Sequence, residues 1–185
     1  MKIYFGERPP AHLRKRIASK VHSHVKRTGL PLRVQRAQHM HITTHFIGEV
    51  TEKSLAEIKR AFQRSRLPSP AEITLGGKPH VGMFGKEVLY LRVEDPTQLL
   101  HTLKEEGRRI APVRETYSGY TPHLTLARNP KKANLDPLLE LLNLRPFMMA
   151  FTPREVLLIH SYEQKGKKFH DIIARRRLPR GKKRL

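Results

Sequence analysis

The sequence contains no cysteine. This absence excludes thiol nucleophiles, cysteine metal sites and disulfides, and it is typical of a reducing compartment. Acidic residues are also scarce, with 16 Asp and Glu against 37 Lys and Arg and a formal net charge of +21. No apolar run is long enough to span a bilayer, and no signal-peptide hydrophobic region follows the first residues. We therefore expect a cytoplasmic protein with no membrane partner.

The excess of positive charge indicates a polyanionic partner, and nucleic acid is favoured over a membrane surface. The alternative is a highly charged surface of the kind found in proteins from hot or salty habitats, and both explanations can apply to one protein. A chain of 185 residues is long enough to bury a sizeable core as one domain or two small lobes.

Two short stretches carry the same pattern, a histidine and a threonine two residues apart. His123 and Thr125 alternate with Leu124 and Leu126, so the pattern predicts a strand with one polar and one apolar face. The stretch that begins at His41 repeats it upstream. Histidine titrates near neutral pH, and a threonine hydroxyl can hydrogen-bond a bound anion. One such pair is common by chance, but two matched copies are not.

The segments around the two motifs match as well. Each half is predicted to run strand, helix, histidine strand, helix, strand, with similar intervals between the first strand and the motif. The first half spans Ile3–Phe5 to Ala71–Leu75, and the second spans Val88–Val93 to Val156–Ser161. Such an internal duplication indicates packing about a pseudo-twofold axis. We expect that axis to bring His41 and His123 to opposite walls of one cleft.

The termini of the predicted elements follow from local signals. Pro9 and Pro10 open a helix that ends at Gly29, with an apolar residue every fourth position between them. The remaining predictions are a capping box at 54–57, a loop at 82–85, helices opened by Asp95-Pro96 and Asp136-Pro137, one long strand at 151–161 interrupted by Pro153, and a strand at 169–174 that pairs back.

With these motifs, the chain resembles the two-histidine (2H) phosphoesterase superfamily, and within it the LigT-like RNA 2′,3′-cyclic phosphodiesterases, also called ThpR. The resemblance rests on His41-x-Thr43 with Phe46-x-Gly48, and on Pro122-His123-x-Thr125-Leu126-x-Arg128, supported by 3–5, Ser161 and Gly166. It implies an α+β fold of two pseudo-symmetric lobes, with antiparallel sheets around a central cleft and helices outside. The phosphoesterase domain would span residues 1–178, followed by a basic tail at 179–185.

Two histidines across a cleft suit hydrolysis of a phosphodiester without a metal or another cofactor. One imidazole takes a proton from the attacking water, and the other gives a proton to the leaving ribose oxygen. Thr43 and Thr125 would hold the non-bridging oxygens. The resemblance implies opening of a 2′,3′-cyclic end to a 2′-phosphate. We assign His123 as the base and His41 as the acid, although pseudo-symmetry permits the exchange.

The residues five positions after each histidine, Phe46 and Arg128, are candidates for further substrate contacts. Arg128 would face away from His123 in a regular strand, and a bulge would return it to contact phosphate or the RNA backbone, with a solvated cation at the strand end as the alternative. Phe46 is the corresponding residue, for which a core position is favoured and base stacking is the alternative. Tyr120 and Phe84 are comparable stacking candidates.

Two neighbours of the first motif depart from the family pattern. Thr44 stands where the family usually has an apolar residue, and if the strand alternates it faces the core and needs a hydrogen bond there. His45 is predicted to be a surface residue.

The leading hypothesis is thus an enzyme acting on RNA with 2′,3′-cyclic phosphate ends, tRNA fragments among them, as a monomer. The alternatives are a 2′–5′ RNA ligase, a phosphodiesterase for a small cyclic nucleotide, and a non-catalytic basic RNA-binding protein. A binding protein would not need both imidazoles, and a small nucleotide does not require a charge of +21. A metal-dependent hydrolase is least favoured, because carboxylates are sparse around both motifs.

Overall fold

A computed structural model describes residues 1–113, 119–144, 148–164 and 167–179 of the chain, with Lys167 described for its backbone only. The helices are α1 Ala11–Thr28, α2 Glu52–Arg64, α3 Leu99–Ile110 and α4 Asp136–Leu144, with one 3₁₀ turn at Ala37–His39. The strands are β1 Lys2–Glu7, β2 Arg33–Val34, β3 Ile42–Glu49, β4 Ile73–Leu75, β5 Val81–Phe84, β6 Val88–Glu94, β7 His123–Arg128, β8 Met149–Phe151, β9 Glu155–Gln164 and β10 Lys167–Arg177.

The strands form one curled sheet in the order β10-β9-β1-β3-β7-β6-β4-β8, with β2 on β7 and β5 on β6. The described strand pairs are antiparallel. Alternate residues such as Ile3, Phe5, Ile42 and Leu124 join the buried faces of the helices in one continuous core. The other sheet face therefore carries the motif histidines, and the predicted α+β class with antiparallel sheet and outer helices is confirmed.

The two halves of the chain exchange one strand with each other. β4, the last strand of the first half, pairs with β6 of the second half. β9, its counterpart in the second half, pairs with β1 of the first. The centre of the sheet is thus symmetric about the contact between β3 and β7, which are the two motif strands.

The first helix forms as predicted. Leu13, Ile17, Val21 and Val25 are buried at intervals of four residues, and Gly29 ends the helix with φ of 65°. This left-handed conformation is one that glycine adopts without steric cost.

The predicted capping box at 54–57 is wrong. α2 begins one turn earlier, because Thr51 is the N-cap and its hydroxyl accepts from the amide of Ser54 at 3.2 Å. Ser54 therefore lies inside the helix. Thr51 precedes the predicted cap by three residues and therefore satisfies the amide of Ser54 instead of that of Glu57, and the sequence pattern allowed both positions.

Three other predictions need correction. The loop predicted at 82–85 is largely strand β5, which pairs with β6. α3 begins at Leu99 rather than at Pro96, although Asp95 does cap it, accepting from the amides of Leu99 and Leu100 at 2.9 and 2.6 Å. The long strand predicted at 151–161 is two strands, β8 and β9, separated at Pro153. The strand predicted at 169–174 is confirmed within β10, which pairs with β9.

The C-terminal end of the described chain returns to the fold. Leu178 is buried, and its amide donates to the carbonyl of Arg154 at 2.9 Å. Most of the predicted basic tail, from residue 180 onward, lies outside the described residues, and the division at 178 stays a prediction. In the part of the chain that the structure describes, no helix is both long and apolar enough to cross a membrane.

Candidate active site

The two motifs lie side by side at the centre of the sheet. Ile42 and Leu124, each the residue after a motif histidine, are direct partners in the antiparallel pair β3–β7. Continuing that register by one residue sets His41 beside Thr125 and His123 beside Thr43. The two histidines are then diagonal neighbours on one face, and residues in such pairs are roughly 7–8 Å apart. The sequence motif alone predicted the partnership but not this register.

The two imidazoles are oriented in the same way. Nδ1 of His41 donates to the carbonyl of His39 at 2.7 Å, and Nδ1 of His123 donates to the carbonyl of Thr121 at 2.8 Å. A carbonyl can only accept, so each Nδ1 carries the proton and each neutral ring keeps Nε2 as its free acceptor. The same backbone contact, two residues upstream, thus fixes the tautomer of both histidines.

Both histidines have lowered pKa values. Burial is the main cause for His41, and the neighbouring His170 adds to it, lowering the pKa to about 3 against the favourable hydrogen bond to His39. Burial also lowers the pKa of His123, and the hydrogen bond to Thr121 opposes that change. In the free protein near neutral pH both rings are therefore neutral, and a bound anion is needed to favour an imidazolium.

Each motif strand contains a bulge directly after its threonine. In β3, Thr43 is opposite Gly6 and His45 is opposite Phe5, which leaves Thr44 as the extra residue. In β7, Thr125 is opposite Tyr90 and Ala127 is opposite Leu89, which leaves Leu126 as the extra residue. An inserted residue reverses the alternation of side chains beyond it. Two consecutive side chains are buried in each strand as a result.

The bulges return the residue five positions after each histidine to the histidine's own face. Arg128 is exposed opposite Val88, on the side of the sheet that carries Thr125. Phe46 is opposite Tyr4 and is 52% exposed. The bulge invoked for Arg128 is therefore present. The core position favoured for Phe46 is wrong, because β3 contains a bulge equivalent to that in β7.

The bulge in β3 also overturns the prediction for His45. This residue is buried, its Nε2 is 2.9 Å from the carbonyl oxygen of Ala111, and its ring stacks on Phe5. Gly107 of α3 packs directly on it, since a Cβ at that glycine would lie 2.7 Å from the Cβ of His45. Thr44 faces the core as expected, yet its hydroxyl finds no hydrogen-bond partner among the described residues.

Aromatic rings surround His123. Phe84 meets it edge-on with ring centroids 4.7 Å apart, and Tyr90 lies behind, stacked on Phe84 at 4.3 Å. Arg92 is the direct cross-strand partner of His123, and its Nε is buried with no hydrogen-bond partner in the described residues. Such a group is costly to bury, so Arg92 is a candidate contact for a phosphate.

The surroundings of His41 are more polar. Its ring lies 4.8 Å from both Tyr4 and His170, and the hydroxyl of Tyr4 hydrogen-bonds Nδ1 of His170 at 2.9 Å. Arg8, which follows β1, donates to the carbonyl of His170 at 2.6 Å. His170 comes from β10, far along the chain, and no sequence signal connected it with the motif.

Tyr120 has a structural contact in the site. Its hydroxyl donates to the carbonyl of Thr43 at 2.9 Å, while His101 meets its ring edge-on. It therefore ties the segment before β7 to β3, and stacking on a base stays a prediction. No group of three or more His, Asp or Glu side chains within the described ranges has the arrangement of a metal site. Metal-independent catalysis likewise stays a prediction.

Solved structures with the same fold include phosphoesterases. A crystal structure described as a phosphoesterase has 22% identity and a TM-score of 0.77, covering 96% of this chain and 97% of its own. E. coli LigT complexed with NADP⁺ has 23% identity and a TM-score of 0.75, covering 96% and 97%. The PDE domain of MHV ns2 has 18% identity and a TM-score of 0.57, covering 85% and 98%.

No curated protein sequence matches the chain significantly. The model of one protein family, described as the 2′-5′ RNA ligase superfamily, matches residues 9–165, a range that includes both histidine motifs. The resemblance to the two-histidine phosphoesterases that the motifs indicated is confirmed by this match together with the shared fold. The chain belongs to the 2′-5′ RNA ligase superfamily of two-histidine phosphoesterases.

Proposed function

We propose that this protein is an RNA 2′,3′-cyclic phosphodiesterase, which hydrolyses terminal cyclic phosphates to 2′-phosphates. The observation that carries the proposal is the matched pair of imidazoles, each with Nδ1 hydrogen-bonded to a backbone carbonyl and with no partner for Nε2 among the described residues. Symmetric placement on one sheet face suits in-line displacement, in which one proton is taken on one side of phosphorus while another is given on the opposite side.

The reaction would proceed with the two histidines in opposite protonation states. Nε2 of neutral His123 accepts a proton from water as its oxygen attacks phosphorus. The bond from phosphorus to O3′ breaks, and the imidazolium of His41 gives its proton to that oxygen. The products are a 2′-phosphomonoester and a free 3′-hydroxyl, and a proton exchange with solvent restores the enzyme.

The other site residues would bind rather than react. Thr43 and Thr125 donate to the non-bridging oxygens of the cyclic phosphate, where negative charge is held in the transition state. Arg128 contacts the phosphate backbone of the RNA, and Phe46 offers an exposed ring for a base. Tyr120 supports the first motif. We propose RNA ends, including those of tRNA fragments, as substrates, and a cytoplasmic monomer without metal as the active form.

Solved structures of a relative support a nucleotide phosphate as the ligand. E. coli LigT is described in complex with NADP⁺, which carries a 2′-phosphate on a ribose, and with 3′-AMP, which carries a 3′-phosphate. The position of the phosphate on the product is therefore decided by the assay below. The charge of +21 favours a polyanionic substrate over a mononucleotide.

The test uses a short RNA that ends in a 2′,3′-cyclic phosphate, incubated with the protein in EDTA, with the product identified by chromatography against the same RNA carrying an authentic 2′-phosphate or 3′-phosphate. We expect a 2′-phosphate. His41→Ala and His123→Ala should each lose at least about 10²-fold in kcat, the contribution typical of one proton transfer. His22→Ala, at an exposed position on α1, is the matched control and should keep full activity.

Retention of activity in either motif variant would refute the two-histidine mechanism. A 3′-phosphate product would refute the choice of leaving group, and a rate abolished by EDTA would refute metal independence.

The family match supports a second candidate, a 2′–5′ RNA ligase. In that reaction a 5′-hydroxyl of another RNA replaces water as the attacking group, and the same two proton transfers apply. Addition of a 5′-hydroxyl RNA to the assay discriminates the two, because ligation lengthens the RNA and hydrolysis does not. A lengthened product without the 2′-phosphate would favour the ligase.

A further inference from the structure

His170 occupies a position beside the first motif that the proposed reaction does not use. It is fixed on both sides, by the hydroxyl of Tyr4 at its Nδ1 and by the guanidinium of Arg8 at its carbonyl. Its ring packs against His41 at 4.8 Å and against His39 at 5.6 Å. A ring held this firmly, next to a catalytic histidine, presents its remaining nitrogen in a fixed place.

Cationic side chains outnumber carboxylates around this ring. Lys168 is two residues from His170 on the same face of β10, and Arg128 is close enough to lower the pKa of both. Neither these two residues nor Arg8 forms an ion pair within the described part of the chain. The nearby acids are Asp171, which acts on Arg8, and Glu163, opposite Lys168.

Clustered like charges repel one another, and their burial adds a desolvation cost. Nε of Arg8 is buried and has no hydrogen-bond partner among the described residues, although its Nη2 is bonded. Lys168 is exposed, and so its ammonium is free to reach a ligand from the edge of β10. An anion at this point would offset the repulsion and satisfy the free donors.

From this arrangement we propose a second phosphate subsite, formed by Arg8, Arg128, Lys168 and His170, that binds the phosphodiester on the 5′ side of the terminal nucleoside. The inference rests on the proposed function, which sets the cyclic phosphate between His41 and His123. A cyclic phosphate is the last group of its strand, so the only neighbouring phosphate lies on the 5′ side. The subsite extends from His41 toward β10, away from the point where the cyclic phosphate reacts.

The subsite is tested by binding, because binding does not depend on turnover. The probes are two diribonucleotides with a 2′-phosphate at the 3′-terminal nucleoside, one with a normal linkage and one with a neutral methylphosphonate linkage. Isothermal titration calorimetry should show the charged linkage bound about tenfold or more tightly, as expected for charge-assisted hydrogen bonds. The affinity for the charged probe should fall more steeply with salt, by about 0.7 in the log–log slope.

Lys168→Gln should reduce the ratio of the two affinities severalfold, and Arg8→Gln should reduce it further. Lys53→Gln, an exposed lysine on α2, is the matched control and should leave the ratio unchanged. Circular dichroism of each variant confirms folding, and the ratio within one variant cancels any general loss of binding.

Equal affinities for the two probes in the unmodified protein would overturn the subsite. An unchanged ratio in both Lys168→Gln and Arg8→Gln would overturn its assignment to these residues. Failure of the proposed function has another signature, since RNA with a cyclic end would then not be hydrolysed even where the charged probe binds more tightly. In a protein that does hydrolyse it, kcat/KM for the cyclic dinucleotides should show the same preference.

Discussion

Binding of an anion should raise the pKa of His41 by several units. Burial and the adjacent His170 lower this pKa to about 3 in the free protein, so that only about one molecule in 10⁴ carries the imidazolium at pH 7. A unit negative charge 4 Å from the ring contributes about 4 kcal/mol at an effective dielectric constant of 20. At about 1.36 kcal/mol for each pKa unit, this corresponds to a rise of about three units, to a pKa near 6.

The assay is an NMR titration of the imidazole Cε1–H signals, with and without sulfate, which stays fully ionised over the range. The signal assigned to His41 by comparison with His41→Ala should not titrate between pH 5 and 8 in the free protein. With saturating sulfate it should titrate near pH 6. By linkage, sulfate affinity should rise about tenfold per unit as pH falls below 6, because each anion bound there takes up a proton.

A free-protein pKa for His41 near the ordinary 6.5 would refute the argument from burial and from the charge of His170. If the pKa of His41 is low in the free protein but does not change when sulfate is added, the placement of an anion beside this ring is refuted.

Three further predictions concern the scaffold of the site. Burial raises the pKa of Glu7 well above its ordinary value of 4.5, so the free energy of unfolding should fall as pH rises above that value, by at most about 1.4 kcal/mol per pH unit. Glu7→Gln should remove this fall. Urea unfolding of both proteins from pH 5 to 8 checks the prediction, and the same pH dependence in both would contradict it. Gly6→Ala would set a Cβ 2.6 Å from the carbonyl oxygen of Ile42. The substitution should lower the free energy of unfolding by about 1–3 kcal/mol in urea and should also lower kcat/KM. Wild-type stability would contradict this, because it would mean that β1 and β3 can move apart to accept the methyl group. Tyr120→Phe removes the donor to Thr43 and should cost about 1 kcal/mol; an unchanged unfolding midpoint would mean that water replaces it.

The elements were predictable where one residue pattern decides them. The four-residue spacing from Leu13 to Val25 and the glycine at 29 defined α1 correctly. The alternation at 123–126 placed the histidine and threonine together on one face of β7. These are local signals, and tertiary packing reinforced them.

The bulges could not be read in the same way. A period of two residues contains no mark of an inserted residue, so His45 was assigned to the surface and Phe46 to the core, the reverse of what the structure shows. In β7 two consecutive buried residues, Leu126 and Ala127, are consistent with the insertion in retrospect. Two consecutive apolar residues were the one available signal of a bulge. In β3 this signal is missing, because the corresponding residues, Thr44 and His45, are polar.

The cluster of Tyr4 and His170 beside His41 could not be predicted from the sequence either. Tyr4 and His170 are separated by most of the chain, and their hydrogen bond depends on the register of β1, β9 and β10. Histidines are frequent in this sequence, 11 in total, so nothing distinguished His170 from those on the surface. Long-range strand pairing, rather than any local propensity, brings it to the site.

The exchange of β4 and β9 between the halves has a consequence for how the active site can move. The ladders β1–β9 and β4–β6 lie on opposite sides of the β3–β7 contact, so the chain has to cross that contact between β3 and β4 and again between β8 and β9. The two sides are therefore joined by these two connections as well as by the pairing of β3 with β7. Because each side carries one of the two imidazoles, the same connections limit how far His41 and His123 can move apart.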